Sequence, residues 1–173
     1  MSLSTPRWWY DRERRHAPVT RMLLRPAGWL WAAVTARRIA RTTPVDAGIP
    51  VISIGNLTVG GSGKTPVARE VLRLLRATGV EAQALSRGYG GSLTGPVRVD
   101  PAVHTAAEVG DEPLMLALDS PAWIARDRGA GARAAAAAGA DAVVLDDGHQ
   151  NPALKKTLSL IIVDGETRDH EWP

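Results

Sequence analysis

Side chains suited to phosphate and a hard cation fall at three places in this chain. The first is Thr58-Val59-Gly60-Gly61-Ser62-Gly63-Lys64-Thr65. Its glycines let the backbone turn sharply and bring N–H groups close to an anion. Lys64 is placed to reach the β- and γ-phosphates of a nucleotide, and the Thr65 hydroxyl to sit on Mg²⁺. The match to the P-loop pattern G-x-x-x-x-G-K-[ST] departs only at its first position, which is Thr58. Pro66 fits a first helical turn, where its missing N–H would have had no intrahelical partner. Bound ATP with Mg²⁺ is the expectation.

The second place is Asp146-Asp147, at the end of the apolar run Ala142 to Leu145 and followed by Gly148. An apolar strand delivering an acid is the Walker B pattern, in which the carboxylate holds Mg²⁺ directly or through water. The third is Asp111, in Val-Gly-Asp-Glu-Pro before the helical run Leu114 to Leu118. An Asp at a helix start serves as an N-cap as readily as it serves chemistry, and both readings stay open on residue type alone. The run Ser-Arg-Gly-Tyr-Gly-Gly at 86–91 is expected to be a mobile loop, either a plain connector or one facing a substrate.

These groups need a scaffold that brings them together. Val51, Ile52 and Ile54 form an apolar strand before the glycine loop, and an amphipathic helix follows to Leu75. Further strands are expected at Glu81–Leu85, Val97–Val99, Trp123–Ala125, Ala142–Leu145 and Leu158–Val163, with an alanine-rich helix at Gly131–Ala138. Strands alternating with helices imply an α/β fold. The expected form is a P-loop NTPase-like twisted, mainly parallel sheet with helices on both faces. Ligands of such sheets bind beyond the strand carboxyl ends, where the glycine loop, Asp111 and the two aspartates should converge.

Length allows one sizeable core in 173 residues, and 45% hydrophobic with 23% charged residues is ordinary for a soluble globular chain. The chain has no cysteine, which excludes disulfides and thiolate metal sites. Its net charge of +3 conceals a division: residues 1–45 hold nine arginines against Asp11 and Glu13, and the remainder is net acidic. That first segment also holds four of the six tryptophans. We expect three parts: a basic membrane-associating segment at 1–45, a P-loop core at 46–165 and a divergent tail at 166–173.

Within the first segment, Leu23, Ala27, Leu30 and Val34 follow helical spacing, with Met22, Trp29 and Trp31 expected to broaden that face. The longest uncharged run, Pro26 to Ala36, is too short to span a bilayer. Arginines at both ends and tryptophans between them suit a basic amphipathic helix lying in an anionic membrane surface. Nucleic acid is the other partner for basic residues, but the segment has no lysine and no recognisable binding module. Arg14-Arg15 before an apolar run suggests a twin-arginine signal, against which stand Pro26 and the Arg37-Arg38 flank.

Taken together the chain resembles the tetraacyldisaccharide 4′-kinase family. The likeness is carried by Pro-Ala-Gly-Trp-Leu at 26–30, Gly-Asn-Leu-Thr-Val-Gly-Gly-Ser-Gly-Lys-Thr-Pro at 55–66 and Ser-Arg-Gly-Tyr-Gly at 86–90. Val-Gly-Asp-Glu-Pro at 109–113 and Asp-Asp-Gly-His-Gln-Asn at 146–151 complete it. In that family Thr58 is no anomaly. The resemblance implies transfer of the γ-phosphoryl group of ATP to the 4′-hydroxyl of a lipid A disaccharide precursor, on the cytoplasmic face of the bacterial inner membrane. It implies Asp111 as catalytic base and Asp146 and Asp147 as holders of the metal.

His149 departs from the family pattern and is read as a packing substitution. Family members are also considerably longer, and their second domain contributes a histidine that assists the base. His170, in an acidic tail unlike the family, is not expected to replace it, and the chain by itself is expected to turn over little or no lipid. A partition-type ATPase with Lys-Gly-Gly-x-Gly-Lys-Thr is disfavoured because its signature lysine falls at Val59. A nucleotide-binding but inactive module shares every motif with the kinase.

Overall fold

The computed structural model describes residues 18–56, 63–148 and 151–163. Thr58, Val59, Gly60, Gly61, Ser62, His149 and His170 lie outside the described residues, as do the segments 1–17 and 164–173. The rest falls into two units, an N-terminal helix and an α/β body at 43–163.

The first helix, α1, runs Pro18–Arg41 with Pro26 inside it. Successive residues turn by about 100°, so the expected stripe of Leu23, Ala27, Leu30 and Val34 shares one side. Met22 and Trp29 fall about 110° to 130° round from its centre and Trp31 about 70° round the other way, so of the three only Trp31 borders that stripe. Apolar surface therefore goes most of the way round the middle of α1, and polarity changes along its axis, with Arg25 and Arg37 bracketing the uncharged run. Trp29 and Trp31 are 72% and 76% exposed, and the Arg25 guanidinium lies 5.9 Å from the Trp29 ring centroid, within cation–π range. No helix among the described residues is long and apolar enough to cross a membrane.

In the body, β1 (Val51–Asn56) leads to α2 (Lys64–Ala77), β2 (Ala82–Ser86) and β3 (Val97–Val99). The short helices α3 (Ala106–Val109) and α4 (Asp111–Ala117) precede β4 (Ala122–Ile124) and α5 (Arg128–Ala137). The last strands are β5 (Ala142–Asp146) and β6 (Leu158–Ile162). The sheet order is β3-β4-β2-β5-β1-β6. All neighbours are parallel except β3, which pairs antiparallel with β4 at one edge.

Side chains alternate between the faces, as the pleat requires. Ile54, Ala84, Ile124 and Val144 meet Ala68, Leu72 and Leu116 on the face covered by α2 and α4. Val51, Leu85, Val143 and Leu145 meet Ala132 and Ala135 of α5 on the other. α5 lies close to the sheet because its contacting face is small: a Cβ at Gly131 would fall 2.7 Å from both Ala125 and Leu85. Asp127 caps α5 by accepting from the Ala130 N–H, which starts the helix three residues before the alanine run suggests. The periodicity left α3 unread, although its signal is present: Thr105 and Glu108 form a capping box.

The glycine-rich segment after β2 differs from the mobile loop expected. A Cβ at Gly88 would press on the Val109 carbonyl and Ile124, and one at Gly91 on the Glu108 carbonyl. Ser92 and Leu93 donate to the carbonyls of Ala107 and Glu108, Arg126 N–H donates to Thr94, and Ala125 N–H to Ser86. Glycine here serves close backbone approach, so the segment is strapped onto α3 and β4. Its larger side chains Arg87 and Tyr89 are exposed, Tyr89 to 84%, as are Ser92 and Thr94.

Candidate active site

The site lies beyond the carboxyl ends of β1 and β5, adjacent strands whose register sets Ile54 beside Asp146. Gly63, at φ 76°, turns the chain into α2, and the space a Cβ would occupy there is empty. The first residues of α2 therefore open onto the sheet end with their N–H groups and positive dipole end facing outward.

Lys64 is held from two sides. Its Nζ donates to Asn56 Oδ1 at 3.0 Å and stands 3.6 Å from Asp147 Oδ1. Asn56, the buried last residue of β1, was not singled out from the sequence, because nothing in an Asn at a strand end marks it as a lysine partner. Thr65 Oγ1 faces Asp146 Oδ2 at 3.5 Å, too long for a strong O–H···O bond. Asp146 is 1% exposed and its Oδ1 has no hydrogen-bond partner among the described residues. Burial, then the charges of Glu112 and Asp147, push this carboxyl up to about 6, with Lys64 pulling the other way. Asp147 takes φ 53°, a left-handed conformation uncommon outside glycine, and Gly148 then donates to the Ile54 carbonyl. That turn aims the two aspartates in different directions, one into the sheet end and one outward.

Lys64, Thr65, Asp146 and Asp147 are thus brought together as expected. Asp111 opens α4 as its first residue, with Gly110 in the cap position and no side-chain cap bond, so it is not an N-cap. The charge of its neighbour Glu112, unremarked in the sequence, helps to raise the Asp146 carboxyl. A Cβ at Gly110 would meet the Tyr89 carbonyl at 2.6 Å, so the strap after β2 also fixes where α4 begins.

A hydroxyl, a buried carboxylate with an unfilled oxygen and a second carboxylate are hard oxygen donors, which suit Mg²⁺. No group of three or more His, Cys, Asp or Glu able to hold a metal by itself occurs among the described residues.

Three comparisons bear on this arrangement. The family model for LpxK, tetraacyldisaccharide-1-P 4′-kinase, matches residues 20–171. The tetraacyldisaccharide 4′-kinases of Phenylobacterium zucineum and Caulobacter sp. strain K31 are 69% and 65% identical over the whole of this chain. The chain covers 51% and 52% of them, about half the length of the curated relatives it matches. A crystal structure of Aquifex aeolicus LpxK in complex with ATP superposes with a TM-score of 0.74 at 28% identity, covering 85% of this chain and 50% of that one. With the family model spanning nearly all of its length, the chain belongs to the tetraacyldisaccharide-1-P 4′-kinase family.

Proposed function

We propose that this chain carries the nucleotide half of a kinase that transfers the γ-phosphoryl group of ATP to the 4′-hydroxyl of a tetraacyldisaccharide 1-phosphate. The observation that carries the reading is the convergence of Lys64, Thr65 and the unfilled Asp146 Oδ1 at one sheet end. The ATP in the Aquifex relative and the names of the Phenylobacterium and Caulobacter relatives support it.

Phosphoryl transfer asks the protein for position and for charge, with one proton to remove. Lys64 exchanges Asn56 and Asp147 for the β- and γ-phosphates. Thr58 to Gly63 supply backbone N–H groups around them, as the motif requires. Thr65, Asp146 and Asp147 are the groups that would hold Mg²⁺. The chemistry the ion would supply there is neutralisation of the phosphates' negative charge. Asp111 takes the proton of the attacking 4′-hydroxyl, and the charge of Glu112 beside it adds to burial in raising the Asp146 carboxyl. Burial first, and then the neighbouring negative charges of Glu112 and Asp147, hold the Asp146 carboxyl high, and a bound cation would relieve both.

The acylated substrate lives in a membrane, and α1 is suited to an anionic surface through its arginines and exposed tryptophans. Binding at the cytoplasmic face of the inner membrane belongs to this proposal. The reading is tested by titrating the folded chain with Mg–ATP in a calorimeter. Wild type binds, and Lys64→Ala weakens binding or uncouples it from the γ-phosphate. An absence of binding by folded wild type would overturn the proposal. Assays of phosphate transfer to the disaccharide, with Asp111→Ala as control, test the base.

A further inference from the structure

Lys64 makes its direct hydrogen bond among the described residues to a neutral group, although a carboxylate stands close by. Its Nζ donates to Asn56 Oδ1 at 3.0 Å, whereas Asp147 Oδ1 is 3.6 Å away. A charge-assisted bond between ammonium and carboxylate closes to about 2.7–2.9 Å, which this pair does not reach. The Asp147 side chain is also 68% exposed, and an ion pair so open to water contributes little. The hold on this lysine is therefore chiefly that of Asn56.

Asn56 is itself fixed. It is the last residue of β1, 6% exposed, and its backbone is paired in register with Ile162 of β6. Lys64 opens α2 with its side chain 17% exposed, so both partners are largely out of water. The choice of an amide has a consequence for charge. An amide oxygen accepts one N–H of the ammonium and leaves its charge whole, with the other donors still to give. A carboxylate in that place would supply a full countercharge and a bond about twice as strong, which arriving phosphates would have to displace. An apolar residue would leave the ammonium free to swing towards the outer carboxylate.

We propose that Asn56 is the positioning residue of Lys64, holding the ammonium at the start of α2 by a neutral bond that phosphate can displace. The proposal deepens the kinase reading and rests on it for the source of the phosphate, a nucleoside triphosphate. Asn56 acts through the lysine alone: it keeps the ammonium in place while no nucleotide is bound and gives up its bond as the phosphates arrive.

The test compares wild type with Asn56→Leu, which removes the acceptor at similar size, and Asn56→Asp, which keeps the shape and adds charge. Lys64, Lys155 and Lys156 are the only lysines of the chain. Trace acetylation read by mass spectrometry therefore reports Lys64 against the exposed Lys155 as internal standard. Without nucleotide, Lys64 should react about threefold or more faster in Asn56→Leu than in wild type, and about threefold or more slower in Asn56→Asp. Equal reactivity in the three folded proteins overturns the hold. The same proteins are titrated with Mg–ATP. Asn56→Asp should bind about tenfold or more weakly. Asn56→Leu, which lacks a bond that the phosphates replace in any case, should bind no more weakly than wild type. Losses of the same size in both variants would mean that Asn56 merely supports the fold, and would overturn the proposal. Asn56→Asp is isosteric, so its reactivity and its affinity decide the case even if Asn56→Leu fails to fold. Absence of Mg–ATP binding by folded wild type would instead count against the nucleotide reading, and the acetylation would still decide whether Asn56 holds Lys64.

Discussion

Asp146 ties the candidate site to the stability of the whole body, and pH exposes the tie. The unfolded chain carries this carboxyl near 3.8, whereas burial and the charges of Glu112 and Asp147 push it up to about 6 in the folded chain. A raised acid means that the native state binds the proton more tightly than the unfolded state. Stability is therefore gained as pH falls through about 6 and lost as pH rises. From pH 8 to pH 5 the linkage amounts to about 1.4 kcal/mol, and the full separation of the two values to about 3 kcal/mol. Asp46, Glu70 and Glu108 are lowered by their partners, so their contributions are lost only as pH falls further, into the acid range. The assay is urea unfolding at pH 5, 6, 7 and 8 without divalent cations, comparing wild type with Asp146→Asn. Wild type should gain about 1.4 kcal/mol more than the variant on going from pH 8 to pH 5. The difference between the two slopes isolates this one carboxyl, whatever the Asn itself costs. Parallel curves across that range would refute both the burial argument and the view of Asp146 as a strained, cation-awaiting ligand.

Other outcomes follow from packing and charge. Leu72→Ala empties a fully buried position of α2 against the sheet and should cost about 2–5 kcal/mol in chemical unfolding. Gly95→Ala would drive a Cβ into the Ile124 carbonyl at a φ of +69°, and should cost about 2 kcal/mol or more in the same assay. The chain should sediment with anionic but not neutral vesicles, more weakly as salt rises, since each arginine near such a surface contributes about 1 kcal/mol. Removal of residues 1–45 should abolish that binding; undiminished binding by the shortened chain would show that α1 is not the contact.

What could be read from the sequence was whatever a local pattern determines. The run Ala142 to Leu145 is apolar on both faces and ends in two acids, so its strand and its site followed from the same few residues. Lys64 and Thr65 were equally legible, because a glycine turn before a helix has few other uses. The partners of these groups were not. Asn56 matters only because β1 ends beside the start of α2, and Glu112 only because α4 begins beyond the ends of β2 and β4. Neither proximity is written in spacing along the chain. The strap at 86–95 shows the same limit from the other side. Its glycines looked like freedom, since glycine permits any φ, but in the fold they permit contact instead. Gly88, Gly91 and Gly95 let backbone lie against backbone where a Cβ would collide. Arg87 and Tyr89 consequently extend from a backbone that is pinned on both sides. A segment read as mobile is thus pinned by its own backbone against α3 and β4, and its Tyr89 carbonyl lies where a Cβ at Gly110 would fall, so it fixes the start of α4.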